Sequence, residues 1–238
     1  MWINQAMNNI SDKRTYCRED LLRALRNEKP DLSDSTFRWT LYNLLREQKL
    51  FKTDYDTYVT IKPKSLPVYK PYYSEKANTL MRNLSNQYPE LEFVVFESAL
   101  LNEFLNHQIA QNTIYVQVEK NISSYIFDNL HEEYVGSVLY RPNKTEFDRY
   151  WTKDCIVVLD LISQAPLSQD NIHEMTAEKM LVDVIAERSI SVTFSPSEIP
   201  FLFENVMRSY QIDKRKMNRY AGRRGKSSKV KKYAGGSD

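Results

Sequence analysis

The sequence predicts an α+β protein: an N-terminal winged helix-turn-helix, then an α/β domain with a mixed sheet, then a basic C-terminal helix. Within residues 18–61, two amphipathic helical patterns are separated by a tight turn and followed by two short strand patterns. From residue 75 onward, β-branched apolar runs alternate with helical patterns, which is typical of α/β sheets. Residues 214–238 contain ten Lys or Arg and a single acid.

Length and composition agree with two domains. A chain of 238 residues with 42% hydrophobic and 27% charged residues is long and apolar enough for two cores, which excludes a disordered protein. The prolines at 63, 67 and 71 lack an amide donor and favour an extended linker. Four segments are therefore expected: a winged helix-turn-helix at 1–61, a linker at 62–74, an α/β domain at 75–211, and a basic helix with a disordered tail at 212–238.

Composition also excludes several classes of protein. The five glycines fall in no GxGxxG or GxxxxGK[ST] motif, so no glycine-rich phosphate loop is expected. No stretch reaches the roughly 20 apolar residues of a membrane span, and the first residues lack a signal-peptide pattern. Cys17 and Cys155 have no CxxC spacing, and reduced thiols of this kind are typical of cytosolic proteins. We expect a cytoplasmic protein with no membrane partner, metal or cofactor.

The helix-turn-helix pattern carries the most specific signal. Leucines at 21, 22 and 25 share one face of a first helix that ends before Pro30. Ser33 is a good N-cap for the second helix, because its hydroxyl can accept an orphan backbone amide. That second helix then has an apolar stripe at i, i+4, i+7 and i+8, formed by Phe37, Leu41, Leu44 and Leu45.

The opposite face of the second helix is polar and aromatic. A rotation of about 100° per residue brings hydroxyl, aromatic, amide and guanidinium groups there, as a helix that reads the DNA major groove requires. The segment LFKTDYDTYVTI then predicts two strands around a wing-like turn. The alternative is a helical hairpin that packs on the second domain through Trp39 and Tyr42. The candidate DNA-binding residues are Ser33, Ser35, Thr36, Arg38, Trp39, Tyr42, Asn43 and Arg46.

In the second region, we expect strands at 91–97, 113–119, 134–140 and 155–162, and helices at 75–87, 100–110, 123–130, 176–187 and 196–209. Glu97 ends one strand and Glu119–Lys120 ends the next, where α/β folds place their sites. Two carboxylates and a lysine are typical of metal-dependent nucleases of the PD-(D/E)xK type. Because no E-x-K triplet is present, an inactive relative is favoured over an enzyme.

Two further groups of residues are candidates for a partner-facing role. His107 and Gln108 lie in the predicted helix 100–110, with Gln108 pointing inward and His107 at the edge of the apolar face. Glu178, Lys179 and Asp183 share one predicted helix. Since Lys179 and Asp183 are i, i+4 neighbours, the simplest interpretation is a surface ion pair that contributes about 0.2–0.5 kcal/mol.

The basic C-terminal segment predicts contact with an anionic partner. Arg215, Arg219 and Arg223 fall at i, i+4 and i+8 and form one ridge, with Lys216 and Lys226 nearby. The candidate phosphate contacts are these three arginines, Lys216 and Arg224. Such a ridge neutralises phosphates in a salt-dependent and sequence-independent way. RNA fits this charge pattern equally well, and a solvated tail without any partner is the alternative.

The sequence resembles AbiEi-like antitoxins. The resemblance lies in the order of six segments: PDLSDSTFRWTLYNLL, VVFESALLNEFLNHQ, VQVEK, VLDLISQAP, AEKMLVDV and MNRYAGRR. The resemblance implies an antitoxin of a type IV toxin–antitoxin system whose winged helix represses the operon. It also implies operator DNA and a nucleotidyltransferase-like toxin as partners, and a structural or toxin-facing role for the segment with Glu178, Lys179 and Asp183. A nucleic-acid enzyme and an interaction module without nucleic acid remain as alternatives.

Overall fold

A computed structural model describes residues 2–10, 15–54 and 56–235. The chain forms two compact units, and its fold class is α+β as predicted. The N-terminal unit comprises Met1–Lys70 and Met207–Gln211, and the C-terminal unit comprises Pro71–Val206 and Ile212–Asp238. Within the described ranges, no helix is both long enough and apolar enough to cross a membrane.

The N-terminal unit has the element order of a winged helix-turn-helix: α1 (Trp2–Asn9), α2 (Arg18–Glu28), α3 (Asp34–Arg46), β1 (Phe51–Asp54) and β2 (Thr57–Val59). Strands β1 and β2 are antiparallel. Ahead of α2, Tyr16 forms an antiparallel bridge with Tyr58, with backbone N–O distances of 2.9 and 2.8 Å. The chain before α2 therefore adds a third, very short strand to the hairpin.

The core of this unit is a single apolar cluster. Helix α1, which the sequence did not predict, contributes Ala6 and Ile10 to it. The asparagines in WINQAMNN are weak helix formers, which explains why the local pattern gave no signal. The other members come from the elements that were predicted: Tyr16, Leu21, Leu25, Leu32, Phe37, Leu41, Leu44, Leu50 and Tyr58.

The C-terminal unit is built on a four-stranded mixed sheet. Its strands are β3 (Phe93–Glu97), β4 (Thr113–Glu119), β5 (Val138–Tyr140) and β6 (Cys155–Leu161). They lie in the order β3-β4-β6-β5, with β3 antiparallel to β4 and the other pairs parallel. Nearly every residue of β3, β4 and β6 is buried, as expected for a sheet that helices cover on both faces.

Helices precede, connect and follow these strands: α4 (Glu75–Gln87), α5 (Ser123–Glu133), α6 (Lys144–Tyr150), α7 (Ala177–Ala186), α8 (Arg188–Ser191), α9 (Ile199–Ser209), α10 (Lys214–Arg223) and α11 (Ser227–Tyr233). Two 3₁₀ helices lie at Ser98–Glu103 and Pro196–Glu198. The last residues of α9 belong to the N-terminal unit. Helix α6 was not predicted, although its Asn143 and Glu146 form a capping box that the sequence shows as N-x-x-E.

The predicted linker at 62–74 is ordered rather than free. In the N-terminal unit, Gln211 donates its backbone N–H to the Pro67 carbonyl at 2.8 Å, and the rings of Tyr69 and Tyr210 meet edge-on at 5.1 Å. In the C-terminal unit, the hydroxyl of Tyr73 donates to the Val95 carbonyl at 2.7 Å. The prolines do keep the backbone extended, but the tyrosines between and after them anchor it.

Two predicted elements are shorter than expected. The helix predicted at 100–110 is a 3₁₀ helix that ends at Glu103, because the Asn102 side chain accepts from the Ile109 amide at 2.6 Å and donates to its carbonyl at 3.2 Å. Such local side-chain bonds compete with helical backbone bonds. The strand predicted at 134–140 starts at Val138, after a turn at Gly136, whose φ of 72° is left-handed.

The predicted disordered tail is wrong for residues 227–233. They form α11, whose Val230 is fully buried and whose Tyr233 ring lies 5.4 Å from the ring of Phe203. The compact units do change between Gln211 and Ile212, but α10 and α11, which were predicted as a separate segment, belong to the same unit as the sheet. Residues 236–238 of the predicted tail lie outside the described residues.

Candidate nucleic-acid interface

Helix α2 is held at both ends. At its start, the Cys17 thiol accepts the Asp20 amide at 3.5 Å, and the Asp20 carboxylate accepts the Cys17 amide at 3.2 Å. Asp56 of the β1–β2 turn accepts the Arg18 amide at 3.1 Å. Near its end, Arg26 donates to the Asp34 carboxylate at 3.2 Å. These bonds fix α2 relative to both the turn of the hairpin and the start of α3.

The first turn of α3 is capped as predicted. The Ser33 hydroxyl accepts the Thr36 amide at 3.2 Å and lies 3.0 Å from the Ser35 hydroxyl and 2.9 Å from that of Thr36. Of these three candidates, Ser33 is already used to cap the helix. Ser35 is exposed and Thr36 is half-buried, so both remain near the surface at the N-terminal end of α3.

The inner face of α3 carries the predicted apolar stripe. Phe37, Leu41 and Leu44 are buried, and Leu45 is only partly buried. The guanidinium of Arg18 lies 5.2 Å from the centre of the Phe37 ring. This stripe fixes the rotation of α3 about its axis and so determines which side chains face solvent.

The outer face of α3 is open to solvent. Trp39 is 60% exposed and Arg46 is exposed, while Arg38, Tyr42 and Asn43 are half-buried. Within the described part of the chain, the guanidinium groups of Arg38 and Arg46 form no ion pair. Arg38 and Arg46 therefore lie with an exposed indole on one face of α3, and Arg46 interacts electrostatically with the neighbouring Glu47.

The hairpin differs from a wing that contacts phosphate. Its basic residue, Lys52, is buried with its ammonium 5.9 Å from the centre of the Tyr58 ring. Its turn carries Asp54 and Asp56, whereas Tyr55 lies outside the described residues. Among its described residues, the hairpin therefore offers no exposed cation to a phosphate backbone.

The carboxylates at the ends of the strands do not form a pair. Glu97 lies opposite Ile114 in the antiparallel β3–β4 pair, five residues from Glu119, which is roughly 16 Å at about 3.3 Å per residue. Glu97 is buried and accepts bonds from the amide and hydroxyl of Ser74 at 2.6 and 2.8 Å and from the Asn112 amide group at 3.0 Å. Glu119 and Lys120 are exposed at the other end.

The nuclease-like interpretation of Glu97 and Glu119 is therefore wrong, because it needs both carboxylates on one metal ion. The pattern alone could not reveal that β3 and β4 run in opposite directions. Glu97 instead holds the N-terminal end of α4 through Ser74. Among the described residues, no group of three or more His, Cys, Asp or Glu side chains is arranged to hold a metal ion.

His107 and Gln108 lie in the loop after the 3₁₀ helix and not on a helix edge. Gln108 is exposed, so the prediction that it points inward is wrong. The Nδ1 atom of His107 lies 2.8 Å from the buried carboxylate of Glu198, which also accepts the Asn106 amide at 2.9 Å. His107 thus helps to fasten this loop to the second 3₁₀ helix.

Lys179 and Asp183 are buried, so the prediction of a surface ion pair is wrong. Their side chains are 0% and 1% exposed, with Nζ and Oδ2 2.5 Å apart. Asp183 also accepts from the Gln117 side-chain amide at 3.0 Å and from the Tyr220 hydroxyl at 2.9 Å. The Arg224 guanidinium lies 3.9 Å from it. We call these five residues the buried charge cluster.

The buried charge cluster keeps Asp183 ionised. Burial alone would raise the pKa of this carboxyl, but Lys179 and Arg224 outweigh that effect and lower it. Burial lowers the pKa of Lys179 and raises the pKa of Tyr220. Gln117 was missed in the sequence, although a polar residue in the middle of TIYVQVE was a usable signal. Lys179 and Asp183 therefore face the core.

Helix α10 presents part of the predicted basic ridge to solvent. Arg215, Arg219 and Arg223 are exposed and Lys216 is half-buried. The prediction for Arg224 is wrong, because its side chain is only 10% exposed and pairs with Glu187 at 3.2 Å. Glu178 is not free for a partner either, since its carboxylate accepts the Asp213 amide at 2.7 Å, just before α10 begins.

Comparisons with known proteins give a family but no activity. A family model described as "Family of unknown function (DUF6577)" matches residues 36–236. Among solved structures, the crystal structure of the RV2827C protein from Mycobacterium tuberculosis is similar over 100% of this chain and 82% of that chain, with 11% identity and a TM-score of 0.34. No curated protein matches.

Proposed function

The chain belongs to the DUF6577 family, and we propose that it is a DNA-binding transcriptional regulator that reads its operator with α3. The single observation that carries this proposal is the outer face of α3, where Arg38, Trp39 and Arg46 are presented to solvent by a helix that is fixed on its inner side. The order of helices and strands around it is that of winged helix-turn-helix domains.

The chemistry of this face suits base edges. The major groove of B-DNA admits one α-helix, and its bases differ in hydrogen-bond donors, acceptors and methyl groups. Arg38 can donate two parallel bonds to a guanine, and Ser35 or Asn43 can bond to either purine. Trp39 offers an apolar surface to a thymine methyl group or a sugar. Reading helices contact bases with their N-terminal residues, where Ser35, Arg38 and Trp39 lie.

Phosphate contacts at this unit are assigned to the end of α3 and not to the hairpin. Arg46 is exposed in the last turn of α3. Lys49 follows it but is engaged by Glu47 at 2.8 Å. Because Lys52, the basic residue of the hairpin, is buried, a duplex would be contacted through α3 and not through the hairpin.

The antitoxin role is the further part of the proposal, and the resemblance to AbiEi-like antitoxins supports it. In this view the protein acts in the cytoplasm and represses the operon that also encodes a nucleotidyltransferase-like toxin. Its test is co-expression with the neighbouring reading frame: the antitoxin role requires that this chain restore growth to cells that the neighbour arrests. An interaction module without nucleic acid would use the same exposed Trp39, but it would not depend on DNA sequence.

The proposal is tested by substituting Arg38 and Tyr42 together. Removing one base or phosphate interaction should weaken binding by about 1–3 kcal/mol, which is roughly 5- to 150-fold in Kd. We expect Arg38→Ala with Tyr42→Ala to weaken binding to the DNA upstream of the gene, measured by fluorescence anisotropy, with a nearly unchanged melting temperature.

Arg23→Ala is the matched control for this experiment. Arg23 is an exposed arginine on α2 whose ion pair with Glu19 is long, at 3.7 Å, so it should leave DNA affinity unchanged. If the double variant binds the same DNA as tightly as the Arg23→Ala control, α3 is not the reading helix.

A further inference from the structure

Helices α10 and α11 carry many positive charges that have no part in the proposed recognition of DNA by α3. Ten Lys or Arg lie between Lys214 and Lys232, and no Asp or Glu lies among them. Arg224 is taken up by the buried charge cluster, which leaves nine. We call these nine the basic platform: Lys214, Arg215, Lys216, Arg219, Arg223, Lys226, Lys229, Lys231 and Lys232.

The cations of the basic platform are only partly balanced by the protein itself, since Asp213, just before α10, interacts electrostatically with Arg215 and Lys216. Seven of the nine are exposed and the other two are half-buried. In the part of the chain that the structure describes, none of them forms an ion pair. The Arg223 guanidinium donates to the Ser163 hydroxyl at 2.7 Å, a neutral partner that orients the side chain without cancelling its charge. A surface with so many cations attracts anions strongly at low salt.

The basic platform is also held in place from beneath. Tyr220 of α10 and Arg224, the residue after α10, reach Asp183 in the buried charge cluster, and Met217 and Val230 are fully buried. The backbone that carries the cations is therefore already ordered before any ligand arrives. A preorganised surface loses less conformational entropy on binding than a flexible tail does.

We infer that the basic platform binds the phosphate backbone of duplex DNA without reading its sequence. Arg215, Arg219 and Arg223 lie on the outer side of α10 at intervals of four residues, or about 6 Å at a rise of about 1.5 Å per residue. One strand of a duplex presents a phosphate about every 3.4 Å along the axis, so the ridge is opposite three or four phosphates. This inference takes its ligand from the proposed function.

A membrane surface fits the basic platform poorly. Helices that lie in a bilayer interface pair a cationic face with an apolar face that inserts among the lipids. In α10 and α11 the apolar residues Met217, Ala221 and Val230 face the protein and are buried. With only cations and small polar groups facing outward, the platform suits a polyanion that is bound through charge alone.

The experiment compares two triple variants that lose the same charge. The ridge variant is Arg215→Gln, Arg219→Gln and Arg223→Gln. The control is Lys144→Gln, Arg149→Gln and Lys153→Gln, three exposed cations elsewhere on the C-terminal unit. Binding to a random-sequence DNA duplex and to the upstream DNA is measured at several salt concentrations. The melting temperatures should agree, since all six side chains lie at the surface.

For the ridge variant, we expect the slope of log K against log salt to become shallower by about 0.9 for each phosphate that is no longer neutralised. Affinity for both DNAs should fall by a similar factor, so that the ratio of specific to random affinity is kept. The control variant should bind like the unmodified protein. A ridge variant with the slope of the control would overturn the inference, as would tighter binding of duplex RNA than of duplex DNA by the unmodified protein.

The two sets of variants distinguish a failure of DNA binding by the basic platform from a failure of DNA reading by α3. If α3 does not read DNA, the variant with Arg38→Ala and Tyr42→Ala keeps its specific-to-random ratio while the ridge variant still changes the slope. If the basic platform does not bind DNA, the α3 variant loses that ratio and the ridge variant changes nothing.

Discussion

Helices α3 and α10 both present arginines to solvent, but the neighbours of those arginines differ. On α3, the outer face that carries Arg38 and Arg46 also carries the indole of Trp39, the phenol of Tyr42 and the hydroxyl of Ser35. On α10, the exposed positions between the arginines hold Asn218 and Gly222. Bases are distinguished by hydrogen bonds and apolar contacts, whereas phosphates are recognised by charge and position. We therefore propose that α3 is suited to base edges and α10 to the phosphate backbone.

The two helices are also anchored differently. The inner face of α3 is apolar, with Phe37, Leu41 and Leu44 in the core of the N-terminal unit. Helix α10 is held by the buried charge cluster as well as by apolar contacts. Apolar packing has no direct dependence on pH, whereas buried charges and hydroxyls respond to pH and to the loss of one partner. The predictions below test this difference.

The largest expected change is a fall in the free energy of unfolding of the C-terminal unit at alkaline pH. Burial raises the pKa of Tyr73, Tyr115 and Tyr220 far above the usual tyrosine value. A tyrosine whose pKa is higher in the folded protein than in the unfolded chain stabilises the fold. This contribution is fully present below the pKa in the unfolded chain, which is about 10, and is lost as pH rises from there toward the pKa in the folded protein. The pKa of Lys179 is lowered in the folded protein, so this residue makes the free energy of unfolding rise with pH. That effect ends at the lysine pKa in the unfolded chain, about 10.4.

Above about pH 10.5, the three tyrosines together should lower the free energy of unfolding of the C-terminal unit by about 4 kcal/mol per pH unit. The urea midpoint at pH 9 and pH 11 measures this, with Trp151 as the reporter in a chain carrying Trp2→Phe and Trp39→Phe. The Trp151 indole donates to the Thr113 hydroxyl at 2.8 Å, so it reports on the sheet. An equal midpoint at both pH values would show that these hydroxyls are not buried.

The next largest effect is expected from Asp183→Ala. This substitution leaves Lys179 and Arg224 buried without their shared carboxylate, and such a loss typically destabilises by about 3–5 kcal/mol. The free energy of unfolding, measured with urea, should fall by that amount, and the amides of α10 should exchange faster with deuterium. Asp148→Ala removes an exposed carboxylate of the same unit and serves as the control. A loss below about 1 kcal/mol would mean that the cluster is hydrated.

The N-terminal unit was largely predictable because its signals are local. The Ser33 cap, the stripe from Phe37 to Leu44 and the turn of the hairpin lie within 30 residues and report on their own elements. Helix α1 was the exception, because its asparagines hide the pattern and the helix is stabilised by packing on α2. Short-range periodicity thus predicted helix α3, its buried stripe and the exposure of Trp39.

The C-terminal unit depended on contacts that no local pattern contains. A Lys and an Asp at i, i+4 look the same whether they lie at the surface or in the core. Only the packing of Gln117 from β4 and Tyr220 from α10 decides that Lys179 and Asp183 are buried. The role of Glu97 was hidden in the same way, since strand direction decides which residues meet at one end of a sheet.

Selection of bound sites from a pool of random DNA duplexes tests the central claim, that α3 reads sequence and α10 does not. The unmodified protein, the variant with Arg38→Ala and Tyr42→Ala, and the ridge variant are each used to enrich the same pool. We expect the ridge variant to enrich the same motif as the unmodified protein, though at lower salt, and the α3 variant to enrich no motif or a different one. Recovery of the unmodified motif by the α3 variant, or its loss from the ridge variant, would contradict the claim.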